Sequence, residues 1–368
     1  MIAINAKPAF GEPRTGLEEY SFQLISHLIY EAEKRGLKKY FSLYAPSWHN
    51  IPQAFLSTDI QILKPRRLWT QGRLAIQLLW DNPDIFFSPE QVLPRFAPKA
   101  SVITVHDLAY EIYPEAYSAW QRGYLRSVTK SAAHRAKKVI AISERTKRDL
   151  GKYYAVSQRK IEVVYHGFAL PKGVEFPQVK SEIRPSSLPT SKPYFFFLGR
   201  IERKKNIVSL IEAFEKYSLA SGREYALILA GAPGFGYEEI FHRVEDSALK
   251  NDIFLLGYVN QEVKYALYQN ACAFVFVPLY EGFGLPILEA QSFGIPVVCS
   301  NSSSLPEVAG ESALLVDPMD ISRIAEKMAE AVHQKKIRSY LIKKGYENLN
   351  RFSWGKTARE TLDILLSL

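Results

Sequence analysis

Two carboxylates, two glycines and a helix start are packed into the nine residues Glu281-Gly-Phe-Gly-Leu-Pro-Ile-Leu-Glu289. Ionised carboxylates accept paired hydrogen bonds from vicinal hydroxyls, so a sugar ring and a ribose are the natural guests for two of them. Gly282 and Gly284 allow positive φ and bring bare N–H groups close to a ligand. A helix start adds unpaired donors and roughly half a positive charge, which suits phosphate or sugar oxygens. The same spacing would also serve a glycine-rich turn between two solvated acids.

A second cluster is cationic. Arg200 and Lys205, with Arg203 and Lys204 between them, surround the start of a helix that follows the apolar run 194–199. Two cations there would neutralise a diphosphate and the charge that grows on it as a glycosidic bond breaks. In the first half of the chain His106-Asp107 directly follows the apolar run 101–105, which sets an imidazole at a strand end.

These residues need elements to position them. Apolar runs at 2–4, 40–44, 60–63, 84–88, 101–105, 138–142 and 161–165 alternate with helical stretches at 16–34, 70–80, 118–136 and 144–154. The rhythm resumes with strands at 194–199, 225–230, 252–257, 272–277, 296–300 and 313–316 and helices at 206–220, 261–270 and 286–293. Pro286 suits the first helical turn and Gly294 the position just past the end. Alternation of this kind predicts parallel sheets with helices on both faces, and the positions just beyond the strands' carboxyl ends are where ligands bind. At 368 residues, two such α/β domains are expected. A polar, proline-containing connector near 171–192 is the hinge candidate, and FSWGKTARETLDILLSL (352–368) reads as an amphipathic helix.

The text around Glu281 and Glu289 resembles the E-x7-E signature of retaining glycosyltransferases of family 4, with the GT-B fold. The resemblance runs through EGFGLPILEAQSFGIPVV (281–298), LPEVAG (305–310), LLVDP (314–318) and FLGRIERKKN (197–206). In the first half, VHDLAYEIYPEAYS (105–118) and VIAISERTKRDL (139–150) are similar to a mannosyltransferase-like subset. It implies two doubly wound Rossmann-like domains facing a cleft: residues 1–185 on the acceptor side, with the helix 352–368 packing back on them, and 186–351 binding a nucleotide diphosphate sugar.

In family terms, Arg200 and Lys205 hold the donor pyrophosphate, Glu289 the ribose, and Glu281 with the backbone of Gly282, Phe283, Gly284 and Leu285 the hexose. The resemblance further implies that backbone around Tyr258 and Val259 reads the base, that His106 contacts the donor sugar near the reacting carbon, and that Gly16 lets the phosphates approach. Many members carry a second glycine where this chain has Leu17. Ser302, Ser303 and Ser304 are expected near the phosphates, and Glu307 at a helix start. The glycine turn AGAPGFG (230–236) could touch the nucleotide or simply turn the chain.

The implied reaction moves a hexose to a hydroxyl of a glycan or lipid-linked acceptor with retention of configuration, no cofactor and no obligatory metal. GDP-mannose is the favoured donor, with UDP-glucose or UDP-N-acetylglucosamine as rivals. From other classes, a phosphorylase or epimerase of similar fold and a non-catalytic glycan-binding subunit are the alternatives. The second would more naturally have lost one of Arg200, Lys205, Glu281 or Glu289, and all four are present.

Composition adds constraints on location. No run approaches the roughly 20 apolar residues of a membrane-spanning helix, and MIAINAKPAF lacks a charged leader before an apolar core, so a cytoplasmic protein is expected. Cys272 and Cys299 lie in apolar runs at no metal spacing and read as buried free thiols. Residues 1–185 carry 27 Lys+Arg against 17 Asp+Glu, a net of +10, and 186–368 carry 20 against 21, a net of −1. Arg122, Arg126 and Lys130 recur every four residues as a basic stripe. Nucleic acid is not expected, since no recognition motif accompanies the charge. A peripheral contact with anionic lipid is the expected use, with a plain solvated surface as the alternative.

Overall fold

A computed structural model of the chain describes residues 1–11, 14, 16–46, 51–64, 68–169, 189–222 and 224–368. Two compact units emerge. One holds Met1–Pro114, Ser118–Ala169 and Phe352–Leu368, and the other Glu115–Tyr117 and the described residues from 189 to Arg351. The expected boundary at 185/186 and all but the last four residues of the hinge candidate near 171–192 lie outside the described residues.

The first unit is built on seven strands: β1 (Ile2–Asn5), β2 (Phe41–Ala45), β3 (Asp59–Ile62), β4 (Ile85–Ser88), β5 (Ser101–Val105), β6 (Lys138–Ala141) and β7 (Ile161–Val163), in the order β3-β2-β1-β4-β5-β6-β7. Every pairing is parallel, with Ile2 beside Phe41 and Ile4 beside Phe87. Parallel strands are covered on both faces, which is why β1, β2 and β5 are buried at every residue, small polar Ser42, Ser101 and Thr104 included. The helix Trp354–Leu366, capped by Ser353 Oγ accepting from Lys356 N at 3.2 Å, packs on Gly16–Lys34. Trp354 lies 5.9 Å from the Tyr20 ring, and Arg35 Nη1 meets Asp363 Oδ1 at 2.6 Å.

The second unit has six parallel strands, β8 (Tyr194–Leu198), β9 (Ala226–Ala230), β10 (Ile253–Gly257), β11 (Ala273–Phe276), β12 (Val297–Ser300) and β13 (Ala313–Val316), ordered β10-β9-β8-β11-β12-β13. Its core is aromatic: Phe195, Phe196, Phe197, Phe274 and Phe276 are fully buried with Phe214 and Tyr268. Helices Tyr237–Glu245, Ile321–His333 and Lys335–Leu349 lie beyond the alternation read from the sequence.

In each sheet the strand order reverses once, between β1 and β4 and between β8 and β11. In open parallel sheets ligands bind at such reversals, beyond the carboxyl ends of the strands. Cys299 is buried as expected, but Cys272 is half-buried, and both are free thiols.

Candidate active site

At the reversal between β8 and β11, three loops of the second unit are stitched together. Leu279 N donates to Lys204 O at 3.0 Å, and Asn206 Nδ2 reaches Val277 O at 3.1 Å and Pro318 O at 2.7 Å. Lys205 Nζ pairs with Glu281 Oε1, and the two side chains are only 12% and 16% exposed. The expected phosphate cation and the expected sugar carboxylate therefore sit against each other.

The loop carrying Glu281 is braced by serines. Ser303 Oγ accepts from Glu281 N at 3.1 Å, while Ser304 Oγ lies 2.9 Å from Glu281 O and 2.7 Å from Phe283 O. Ser302 Oγ donates to Leu279 O at 3.2 Å. Ser302, Ser303 and Ser304 thus shape the backbone of the loop, a use for which spacing gives no sign. Of the two glycines, Gly284 takes the positive φ, at 116°, and a Cβ there would lie 2.6 Å from Leu305 Cδ2. Both conformation and space demand glycine at this N-cap of the helix Leu285–Ser292. The expectation of positive φ at Gly282 is corrected: the turn is completed by Gly284 alone.

Glu289 stands one turn into that helix, with both carboxylate oxygens engaged. Lys264 Nζ donates to Oε1 at 2.8 Å and the Tyr268 hydroxyl to Oε2 at 3.0 Å. Arg200 is exposed and makes no hydrogen bond or ion pair among the described residues. Its stem crosses the turn 230–236, where a Cβ on Gly234 would lie 2.7 Å from Arg200 Cγ. Gly231 is tighter still, since a Cβ would lie 1.9 Å from Gly199 O. These glycines let two loops close-pack. Tyr258 is 73% exposed beyond β10, next to half-buried Val259, and Gly257 O ties this loop to Gly231 N at 2.7 Å. Glu307 lies in the helix Leu305–Ala309.

In the first unit His106 follows β5. Its Nε2 is 2.9 Å from Pro89 O, and because a carbonyl only accepts, the proton sits on Nε2 and Nδ1 is left as an acceptor. Tyr20 packs edge-on at 4.7 Å and desolvation holds the imidazole below its usual range, so it is neutral near pH 7. Gly16 opens the helix Gly16–Lys34 and a Cβ on it would meet nothing within 4 Å among the described residues. The basic stripe is not a row of free cations: Arg126 forms a two-pronged pair with Glu111, 2.7 Å from Nε to Oε1, and Arg122 is half-buried.

Two family models match the chain in succession: "Glycosyltransferase Family 4" over residues 32–170 and "Glycosyl transferases group 1" over residues 179–348. The chain is a glycosyltransferase, with a family 4 domain followed by a group 1 domain. This glycosyltransferase is 28% identical to O-antigen chain mannosyltransferase B of Escherichia coli, over 95% of its own length and 96% of the relative's. It is 25% identical to the O-antigen chain mannosyltransferase RfbU of Salmonella typhimurium, over 93% and 95%. Among solved structures, the sucrose-phosphate synthase of Thermosynechococcus elongatus superposes with a TM-score of 0.75 at 19% identity, covering 100% of this chain and 98% of that one. HepE of Anabaena in complex with UDP-glucose gives 0.73 at 17%, covering 100% and 99%. These likenesses carry the fold, GT-B, with two parallel-sheet Rossmann-like domains.

Sequence reasoning missed two groups in the glycosyltransferase. Lys264 and Tyr268 hold Glu289 from 25 and 21 residues away, and only their one-turn spacing on a helix hinted at a shared target. At the reversal between β1 and β4, buried Asn5 donates to Ser88 Oγ at 3.2 Å and to Glu90 Oε1 at 2.9 Å, and burial pushes the Glu90 carboxyl up. Glu90 stands two residues past β4, the position at which a strand-end search would have found it. Among the described residues, no group of three or more His, Cys, Asp and Glu could hold a metal ion. No helix among them is long and apolar enough to cross a membrane.

Proposed function

We propose that the enzyme transfers mannose from GDP-mannose to a hydroxyl of a glycan or lipid-linked acceptor, with retention at the anomeric carbon. The observation that carries the reading is the meeting of Lys205 and Glu281 beside the Gly284 helix start, at the strand reversal of the second unit. Arg200 and Lys205 hold the pyrophosphate, Glu289 the ribose, and Glu281 with the backbone of Gly282–Leu285 the hexose. Backbone at Tyr258 and Val259 reads the base. Gly16 admits the phosphates, and His106 Nδ1 accepts from a sugar hydroxyl.

No side chain is assigned as nucleophile. The glycosidic C–O bond breaks as the acceptor oxygen attacks on the same face, and the leaving phosphate oxygen takes the acceptor's proton while the two cations stabilise its charge. The reading needs no metal. Mannose as the sugar is supported by the O-antigen mannosyltransferases among the relatives. UDP-glucose and UDP-N-acetylglucosamine are the rival donors.

A thermal-shift panel of nucleotide diphosphate sugars tests the reading. A ligand at 100 times its Kd adds about 2.7 kcal/mol of stability, and GDP-mannose is expected to give the largest shift. A shift confined to UDP sugars would replace the donor; none with any sugar nucleotide would remove the assignment of the site.

A further inference from the structure

We propose that Lys264 and Tyr268 are positioning residues that lock the Glu289 carboxylate in one orientation, so that its remaining lone pairs read the two ribose hydroxyls of a nucleoside diphosphate. This rests on the reading of Glu289 as the ribose acceptor.

Lys264 and Tyr268 lie one turn apart on the helix Gln261–Asn270, so both face the same neighbour. Each supplies one donor to a different oxygen of Glu289, at 2.8 and 3.0 Å. A carboxylate oxygen has two lone pairs, so one on each oxygen remains for a ligand, spaced for two adjacent hydroxyls. Glu289 is 25% exposed at its side chain, which leaves those lone pairs reachable.

The two supports differ in kind. The Tyr268 ring is fully buried, stacked on Phe293 at 5.3 Å and edge-on to Phe196 at 5.0 Å, so its hydroxyl is a fixed point. Burial and the neighbouring carboxylate keep that phenol protonated, and it therefore always donates. Lys264, 25% exposed, brings a positive charge to Glu289 Oε1 at 2.8 Å. Without them a freely rotating glutamate would lose its rotamer entropy on binding, and the ribose contact would weaken.

The test measures Kd for GDP and UDP and for their 2′,3′-dideoxy analogues by calorimetry, in wild type, Glu289→Ala, Tyr268→Phe, Lys264→Met and Lys264→Arg. Wild type is expected to prefer the ribo form, and Glu289→Ala to erase the preference. Tyr268→Phe and Lys264→Met should each cut the preference by about fivefold, the size of one lost hydrogen bond, while affinity for the dideoxy analogues stays the same. Lys264→Arg should restore most of it. Wild-type preference retained in Glu289→Ala, or no preference in wild type, overturns the ribose reading itself. Preference erased in Glu289→Ala but intact in both Tyr268→Phe and Lys264→Met overturns the positioning role alone. Lys264 is a partly exposed helix residue, so its two variants keep the test decisive even if Tyr268→Phe disturbs the core.

Discussion

Lys205 and Glu281 neutralise each other across 76 residues of chain, joining the loop after β8 to the loop after β11. Neither charge is well solvated, so removing one strands the other. Lys205→Met and Glu281→Gln should each lower stability by about 1–3 kcal/mol, and the double variant should lose less than the sum of the two. Urea unfolding of the four proteins measures this. Strict additivity would mean that the ion pair contributes no coupling. Turnover should fall in Lys205→Met by at least about 100-fold, on the order of 3 kcal/mol of lost transition-state stabilisation.

Arg200 provides the contrast. Exposed and unpaired among the described residues, it gives the fold only the contact of its stem with the turn 230–236, and Arg200→Ala should lower stability by no more than about 1 kcal/mol. If it stabilises the leaving diphosphate, turnover should still drop about 100-fold. Near-normal rates in this variant would return Arg200 to the solvated surface.

The two cases show what a sequence can and cannot reveal. Strands such as β5 and β9 were legible because parallel strands are buried on both faces and every residue is apolar or small. The loop 281–289 was legible because glycine, proline and glutamate each have a narrow local use. Pairings across long separations were not: nothing near Glu289 in the chain points to Tyr268, and nothing near Asn5 to Glu90. Helical spacing placed Arg122, Arg126 and Lys130 on one stripe correctly, yet could not show that Glu111 covers Arg126. The helix Ile321–His333 carries a local signal of its own, an Asp320 cap followed by Ile324, Met328 and Ala331 on the buried face.

A pH dependence follows from His166. It is packed against Tyr20 at 4.6 Å and Trp354 at 5.2 Å, and burial, with His106 nearby, pushes its pKa down to about 3. Its folded pKa is thus below the unfolded value of 6.5. The unfolded chain takes up a proton first as pH falls, so the stabilisation is complete above about pH 6.5 and is lost towards pH 3, by up to about 1.4 kcal/mol per pH unit. His106, also depressed, adds with the same sign. His166 alone should account for about 2 kcal/mol of stability lost between pH 7 and pH 5, so His166→Asn should lose clearly less than wild type, whatever its absolute stability. Equal slopes in the two proteins would assign the acid sensitivity elsewhere.

The last prediction concerns the acceptor and the basic excess of the first half, a net of +10 over residues 1–185. With Arg126 committed to Glu111, the free charge on and just past the helix Ala119–Arg135 rests with residues such as Lys130 and Lys137, which are exposed and pair with no acid among the described residues. The same helix exposes Trp120 (79%) and Tyr124 (50%), their rings stacked at 5.7 Å and nearly parallel. Amphipathic rings beside lysines suit the boundary between lipid headgroups and water, where each cation contributes about 1 kcal/mol. A lipid-linked acceptor presented at an anionic surface would use both. The enzyme should co-sediment with vesicles containing anionic lipid at low salt and detach as salt rises. Lys130→Glu/Lys137→Glu should weaken that binding by at least about tenfold, and Trp120→Ala/Tyr124→Ala should weaken it even at low salt. No co-sedimentation at low salt, or binding unchanged in both variants, would point to a soluble acceptor.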